Sequence, residues 1–157
     1  MKITIIGCGL IGGSMALALR RRRPAVPVAC LDLPERIPAI REAGVSEQVG
    51  AMEDIAIHVP DSSVVVVATP VQTVPEILER IRPSLREGTI VTDVGSTKKR
   101  IMDEAQKLIP AGVSFVGGHP MAGSERSGVE AADPLLFSER VYALCPYPDT
   151  PPDALLA

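Results

Sequence analysis

Apolar residues along the chain fall into short β-branched runs separated by longer stretches with helical spacing. Lys2–Ile6, Val28–Leu31, Val64–Ala68, Thr89–Val94, Val113–Val116 and Val141–Cys145 are predicted strands, with Ser46–Ala51 as a short edge strand. The run VVVVA at Val64–Ala68 is continuous rather than alternating, as a parallel strand covered on both faces requires. Predicted helices occupy Leu10–Arg23, Glu35–Ala43, Val74–Leu85 and Thr97–Ile109. Gly44 closes the second of these as a C-terminal cap, and Pro75 fits the first turn of the third. Arg20–Arg23 place cations against the negative end of the first helix dipole, and Pro24 and Pro27 stop that helix. The glycine-rich stretch Gly117–Gly128 is predicted to be a loop.

Alternation of this kind predicts an α/β fold, doubly wound and Rossmann-type, with a mostly parallel sheet and helices on both faces. The organisation expected is one domain over residues 1–145. A proline-rich linker follows over 146–157, with the start of a truncated helix at Pro151–Ala157. Thr150 is the expected cap of that helix.

Composition narrows the chemistry. The chain has 157 residues, enough for an ordinary core, and aromatics are only 3% with no Trp, so that core must be aliphatic. A net charge of −3 with so few stacking aromatics argues against nucleic acid as a partner. No apolar run approaches the ~20 residues of a membrane span. The start MKITIIGCG lacks the apolar region and cleavage site of a signal peptide. Cys8, Cys30 and Cys145 have no metal-knuckle or redox spacing, which points to three reduced thiols in a cytoplasmic protein and to no metal site.

The first strand runs straight into Gly7-Cys8-Gly9-Leu10-Ile11-Gly12, a G-x-G-x-x-G that opens a helix. In that context Gly7 permits the tight turn, Gly9 lets a pyrophosphate approach the backbone, and Gly12 allows close helix–strand packing. The amides around Leu10 and Ile11 then face the phosphates at the helix N-terminus. Asp32 ends the second strand and can accept hydrogen bonds from an adenosine ribose. Its charge opposes a 2′-phosphate, and Leu33 and Pro34 follow it with no arginine immediately beside it, Arg36 being the nearest. The cofactor expected is therefore NAD rather than NADP. Thr69, Pro70 and Val71 follow the Val64–Ala68 strand and Gly95 follows the Thr89–Val94 strand, so all four are expected to line the cofactor groove.

Ser96 and His119 also lie at strand carboxyl ends. Histidine titrates near neutrality and can take a hydroxyl proton as hydride leaves the same carbon. Ser96 can bond that hydroxyl or the imidazole; its bland reading is a cap for the helix near Thr97. His58, the other histidine, reads as a surface residue.

Four segments carry a resemblance. GCGLIGGS at Gly7–Ser14, ATPV at Ala68–Val71, DVGSTK at Asp93–Lys98 and especially GGHPMAGSERSG at Gly117–Gly128 resemble the nucleotide-binding half of the prephenate and arogenate dehydrogenases. The resemblance implies that His119 and Ser96 are catalytic, that Ser124 and Glu125 lie near the substrate pocket, and that Asp32 is the ribose-binding acid. It implies oxidative decarboxylation of prephenate in tyrosine biosynthesis, with arogenate as the alternative substrate, and homodimerisation through a C-terminal helical domain. That domain, which in the family supplies a substrate-binding arginine, lies beyond Ala157. Arg126 is the nearest basic candidate within the chain. The 157-residue chain by itself is expected to bind NAD with little or no activity. Two other readings stay open: a stand-alone NAD-binding module or split-enzyme half, and a dehydrogenase of another hydroxy acid.

Overall fold

The structure is a computed structural model and describes residues 1–156. Its centre is a seven-stranded sheet in the order β3-β2-β1-β4-β5-β6-β7. The strands are β1 (Ile3–Ile6), β2 (Val28–Asp32), β3 (Gln48–Ala51), β4 (Val64–Val67), β5 (Ile90–Asp93), β6 (Ser114–Pro120) and β7 (Tyr142–Cys145). The first six pair in parallel, and β7 pairs antiparallel with β6. The helices are α1 (Leu10–Arg22), α2 (Ile37–Glu42), α3 (Ile55–His58), α4 (Val74–Ile81), α5 (Lys99–Leu108) and α6 (Pro152–Leu156). The doubly wound α/β expectation holds.

Successive strand residues point to opposite faces, and in the central strands both faces are buried. Val65 and Val67 of β4 join Ile6, Leu31, Val91 and Phe115 beneath Val74, Leu78 and Ile81 of α4 and Ile101 and Ala105 of α5. Val66 of β4 faces the other way, with Ile3, Ile5 and Cys30, toward Ala16 of α1 and Ile40 of α2. A continuous apolar run is what this double coverage needs. The core is aliphatic, as the composition required.

Several boundaries differ from the sequence reading. Gly117–Pro120 is not loop: β6 continues through it because β7 returns to bond it, with Gly117 opposite Cys145 and His119 opposite Ala143. The helix α3 has only four residues, too short for periodicity to reveal. His58, read as a surface residue, is half-buried at its end, and its carbonyl accepts the Lys2 ammonium and the Ser62 hydroxyl. Burial and nearby Lys2 hold the His58 imidazole below its ordinary range. Ser96 is not a cap, since α5 starts at Lys99 with Lys98 before it. Thr150 accepts the Tyr147 amide instead of capping α6, and the Tyr147 hydroxyl donates to the Met102 carbonyl on α5. The proline-rich segment is thus docked against α5. Of the predicted helix Pro151–Ala157, Ala157 lies outside the described residues. Cys8 and Cys30 are buried and Cys145 half-buried, all as free thiols. Hydrogen bonding to Cys30, together with burial, pushes the Cys8 thiol well up. No helix among the described residues is long and apolar enough to cross a membrane.

Candidate functional site

The strand order reverses between β1 and β4. Their connections leave toward opposite sides, so a crevice opens at their carboxyl ends. A groove of about 700 Å³ occupies that position. Gly7, Gly9, Leu10, Ile11, Asp32, Thr69, Pro70, Val71, Gly95, Ser96 and His119 all line it, from five separate stretches of the chain.

The glycine loop has the geometry its motif requires. Gly7 has φ +90, a left-handed conformation that strains any side chain. A Cβ on Gly12 would stand 1.9 Å from the Gly7 carbonyl oxygen, so Gly12 serves the packing of α1 on the turn and lies beneath the groove rather than in its lining. A Cβ on Gly9 would meet nothing within 4 Å, which leaves backbone open to an incoming ligand. The first turn of α1 carries no acid and no side-chain cap. Its free amides and positive dipole end therefore face the groove unneutralised, the arrangement that holds a pyrophosphate.

Asp32 is buried, and each of its carboxylate oxygens accepts one backbone amide at the groove edge. The Cys8 amide donates to Oδ2 at 2.7 Å and the Leu33 amide to Oδ1 at 2.8 Å. One carboxylate thus ties the glycine loop to the end of β2. Each oxygen still has lone-pair capacity for the two hydroxyls of a ribose. An open cradle, a helix end without an acid and a fixed carboxylate together fit a dinucleotide.

At the other end of the groove a buried ion pair organises the backbone. Asp93, the last residue of β5, is completely buried. It accepts the Gly95 amide at 2.8 Å and the Gly118 amide at 3.2 Å, and it pairs with the Lys98 ammonium. Lys98 also donates to the Gly118 carbonyl at 2.7 Å. The pair therefore holds both backbone groups of the residue before His119 and the amide of the residue before Ser96. The side chains of His119, half-buried, and Ser96, exposed, open into the same groove. Sequence reasoning missed this pair. The motif DVGSTK contained both residues, but nothing local says that they reach across to β6.

Tyr142 of β7 packs beside this cluster. Burial first, and then the negative Asp93, push its phenol up to about 12. The folded value thus lies above the unfolded one, so the native state holds this proton more tightly. Stability is expected to be full below about pH 10, the unfolded phenol value, and to fall as pH rises toward about 12. Denaturation midpoints between pH 9 and 11.5 test this, and Tyr142→Phe should flatten that slope. An equal slope in the variant would assign the loss to other groups.

After His119 the chain crosses the groove mouth. Ala122, Arg126, Ser127 and Gly128 contribute to the lining, while Ser124 and Glu125 are exposed outside it. The Ser124 hydroxyl accepts the Arg126 amide at 3.1 Å. The segment is then anchored on α1: the Asp133 amide donates to the Ser14 hydroxyl at 2.9 Å, and Val129 and Ala132 close on Gly13. Leu33, Arg36, Met52 and Arg80 line the Asp32 end; the sequence marked Leu33 and Arg36 as following Asp32 and gave no signal for Met52 or Arg80. Arg80 in particular arrives from α4.

Comparison with known proteins points the same way. The profile described as prephenate dehydrogenase, nucleotide-binding domain, matches residues 15–157. The prephenate dehydrogenase of Bacillus subtilis (strain 168) is 39% identical over 153 residues, covering 93% of this chain and 40% of the relative. The prephenate dehydrogenase of A. aeolicus, solved in complex with hydroxyphenyl propionate and NAD+, superposes with a TM-score of 0.89 at 30% identity. That match covers 99% of this chain and 54% of that one. Synechocystis arogenate dehydrogenase gives a TM-score of 0.85 at 32% identity, with the same coverage of 99% and 54%. The chain thus spans about half or less of the length of these relatives. Its glycine loop, Asp32 and the His119 segment stand on the matched fold, and the chain belongs to the prephenate dehydrogenase family as its nucleotide-binding domain.

Proposed function

We propose that the groove binds NAD and that this domain provides the nucleotide half of an oxidative decarboxylation of prephenate or of its amino counterpart, arogenate. The observation that carries the reading is the Asp32 carboxylate. Its bond to the Cys8 amide makes ribose acid and phosphate loop one rigid unit, in the same groove as His119 and Ser96. Gly7, Gly9, Leu10 and Ile11 hold the pyrophosphate in this reading, Asp32 the adenosine ribose, and Thr69, Pro70, Val71 and Gly95 the walls toward the nicotinamide. The nicotinamide ring, when bound, supplies the hydride acceptor.

His119 then takes the proton of the ring hydroxyl, and Ser96 bonds that hydroxyl or the imidazole. Carbon dioxide leaves as the ring becomes aromatic, so orientation and polarisation are the protein's main task. Ser124 and Glu125 act at the substrate end of the crossing segment. The homodimer implied by the resemblance forms through a helical domain outside residues 1–157.

Calorimetric titration of the chain with NAD and NADP tests the cofactor assignment. NAD is expected to bind more tightly, and Asp32→Ser to narrow the gap by about 1–3 kcal/mol, the scale of a charge-assisted hydrogen bond. Equal affinities in the unsubstituted chain would remove Asp32 from this role.

A further inference from the structure

Two thiols that the chemistry above does not use meet beneath the glycine loop. Cys8 stands between Gly7 and Gly9, which line the groove, while Cys8 itself is buried in the core under α1. Cys30, on β2, is completely buried in the same apolar cluster. The Cys8 thiol lies 3.8 Å from the Ile5 carbonyl and 3.9 Å from the Leu31 carbonyl. Ile5 is paired with Cys30 across β1 and β2, and Leu31 follows Cys30 along the strand. The two thiols are in hydrogen-bonding contact. Cys30 and Asp32 are two positions apart on β2, so they share a face of the sheet. Cys8 is therefore engaged twice from one strand, by its amide on Asp32 and by its thiol on Cys30.

We propose that Cys8 and Cys30 form a reversible dithiol–disulfide switch, and that the disulfide form binds the dinucleotide more weakly. The effect on binding rests on the nucleotide reading above. With hydrogen peroxide as the oxidant, one sulfur attacks as its thiolate and breaks the O–O bond, which leaves a sulfenic acid and one water. The second sulfur attacks the first, the S–S bond forms, and a second water leaves. The two thiols together lose two electrons, the peroxide gains them, and both thiol protons end in the waters. Closing a non-bonded contact to a covalent bond draws the sulfurs together by more than about 1 Å. Strand β2 lies inside the sheet, between β3 and β1, and is held on both sides. The displacement therefore falls on Cys8, on the flanking Gly7 and Gly9, and on the Cys8 amide bond to Asp32. Burial and the contact with Cys30 hold Cys8 as the thiol while the loop is closed, so the pair stays reduced there. Oxidation passes through an opened loop, and a dinucleotide seated on the closed loop opposes it.

The experiment uses the Cys145→Ser chain, in which Cys8 and Cys30 are the only thiols, treated with hydrogen peroxide in the absence and presence of NAD. Peptide mapping is expected to find a Cys8–Cys30 disulfide, the Gly7, Cys8 and Leu33 amide resonances to shift, and dithiothreitol to reverse both. Calorimetric NAD affinity is expected to fall about tenfold in the oxidised chain, equal to about 1.4 kcal/mol. NAD at about 100 times its Kd should slow disulfide formation about 100-fold, because the open fraction falls in that proportion. Cys30→Ala and Cys30→Val should keep NAD affinity and lose the response to peroxide. A chain that forms no Cys8–Cys30 disulfide overturns the proposal, as does a disulfide that leaves the loop resonances and NAD affinity unchanged. A loss of affinity that persists in both Cys30 variants, as oxidation of Met52 in the groove would cause, also overturns it. If the reduced chain binds no NAD, the nucleotide reading fails, and that failure is told apart because the disulfide and the amide shifts are read without ligand.

Discussion

Replacing Lys98 by methionine is expected to lower the unfolding free energy by about 3–5 kcal/mol, the scale for removing one partner of a buried ion pair. The Asp93 carboxylate is fully buried, and Lys98 is its cationic partner. Methionine keeps most of the stem volume and removes the charge, so the loss reports electrostatics rather than a cavity. A domain is commonly stable by about 5–15 kcal/mol, so the variant would lie close to the margin of folding. Denaturant titration at neutral pH measures it. Adding Asp93→Asn to Lys98→Met should restore part of the loss, because a neutral amide can still accept the Gly118 amide without leaving a buried charge. A Lys98→Met midpoint equal to that of the unsubstituted chain would show that Asp93 needs no cation. The same pair holds Gly118 by both backbone groups, so a folded variant should also show altered amide resonances at Gly118 and His119.

The second large effect concerns His119. In a polypeptide that carries this domain and oxidises prephenate, His119→Asn is expected to reduce turnover by roughly 10²–10⁴, the usual scale for one positioned acid–base group. Asparagine keeps hydrogen bonding but cannot take the hydroxyl proton. NAD affinity should change little, because in the proposed binding mode Asp32 and the glycine loop hold the cofactor at the other end of the groove. Single-turnover rates and NAD titration of the same variant separate the two. Loss of NAD binding or of the fold would make His119 structural. His119 lies near the end of β6, beyond its parallel pairing with β5, and its backbone is paired on one side, opposite Ala143 of β7.

The cofactor half of the site was legible in the sequence because its parts are local. Gly7 to Gly12 form one turn, and the turn, its strand and its helix are contiguous. Asp32 was legible through its place at the end of the next strand. The groove lining was legible by rule: a doubly wound sheet puts ligands at strand carboxyl ends, so Thr69, Gly95, Ser96 and His119 followed from the order of the runs. The aliphatic core and continuous strand runs followed from composition and double coverage.

What the sequence did not disclose depends on long-range pairing. β6 extends to Pro120 because β7 supplies hydrogen-bond partners from more than twenty residues away, whereas glycine and proline taken locally read as loop. Lys98 reaches Gly118 across twenty residues, and Arg80 reaches Met52 across twenty-eight. The Arg36 contact with Asp32 is closer in sequence but depends on a short turn that periodicity does not encode. Local patterns of apolar and turn residues determine which segments form strands, helices and phosphate loops. Which charges end up facing one another is decided only when the sheet order brings distant segments together, because burial strengthens those contacts and no short stretch of chain contains both partners.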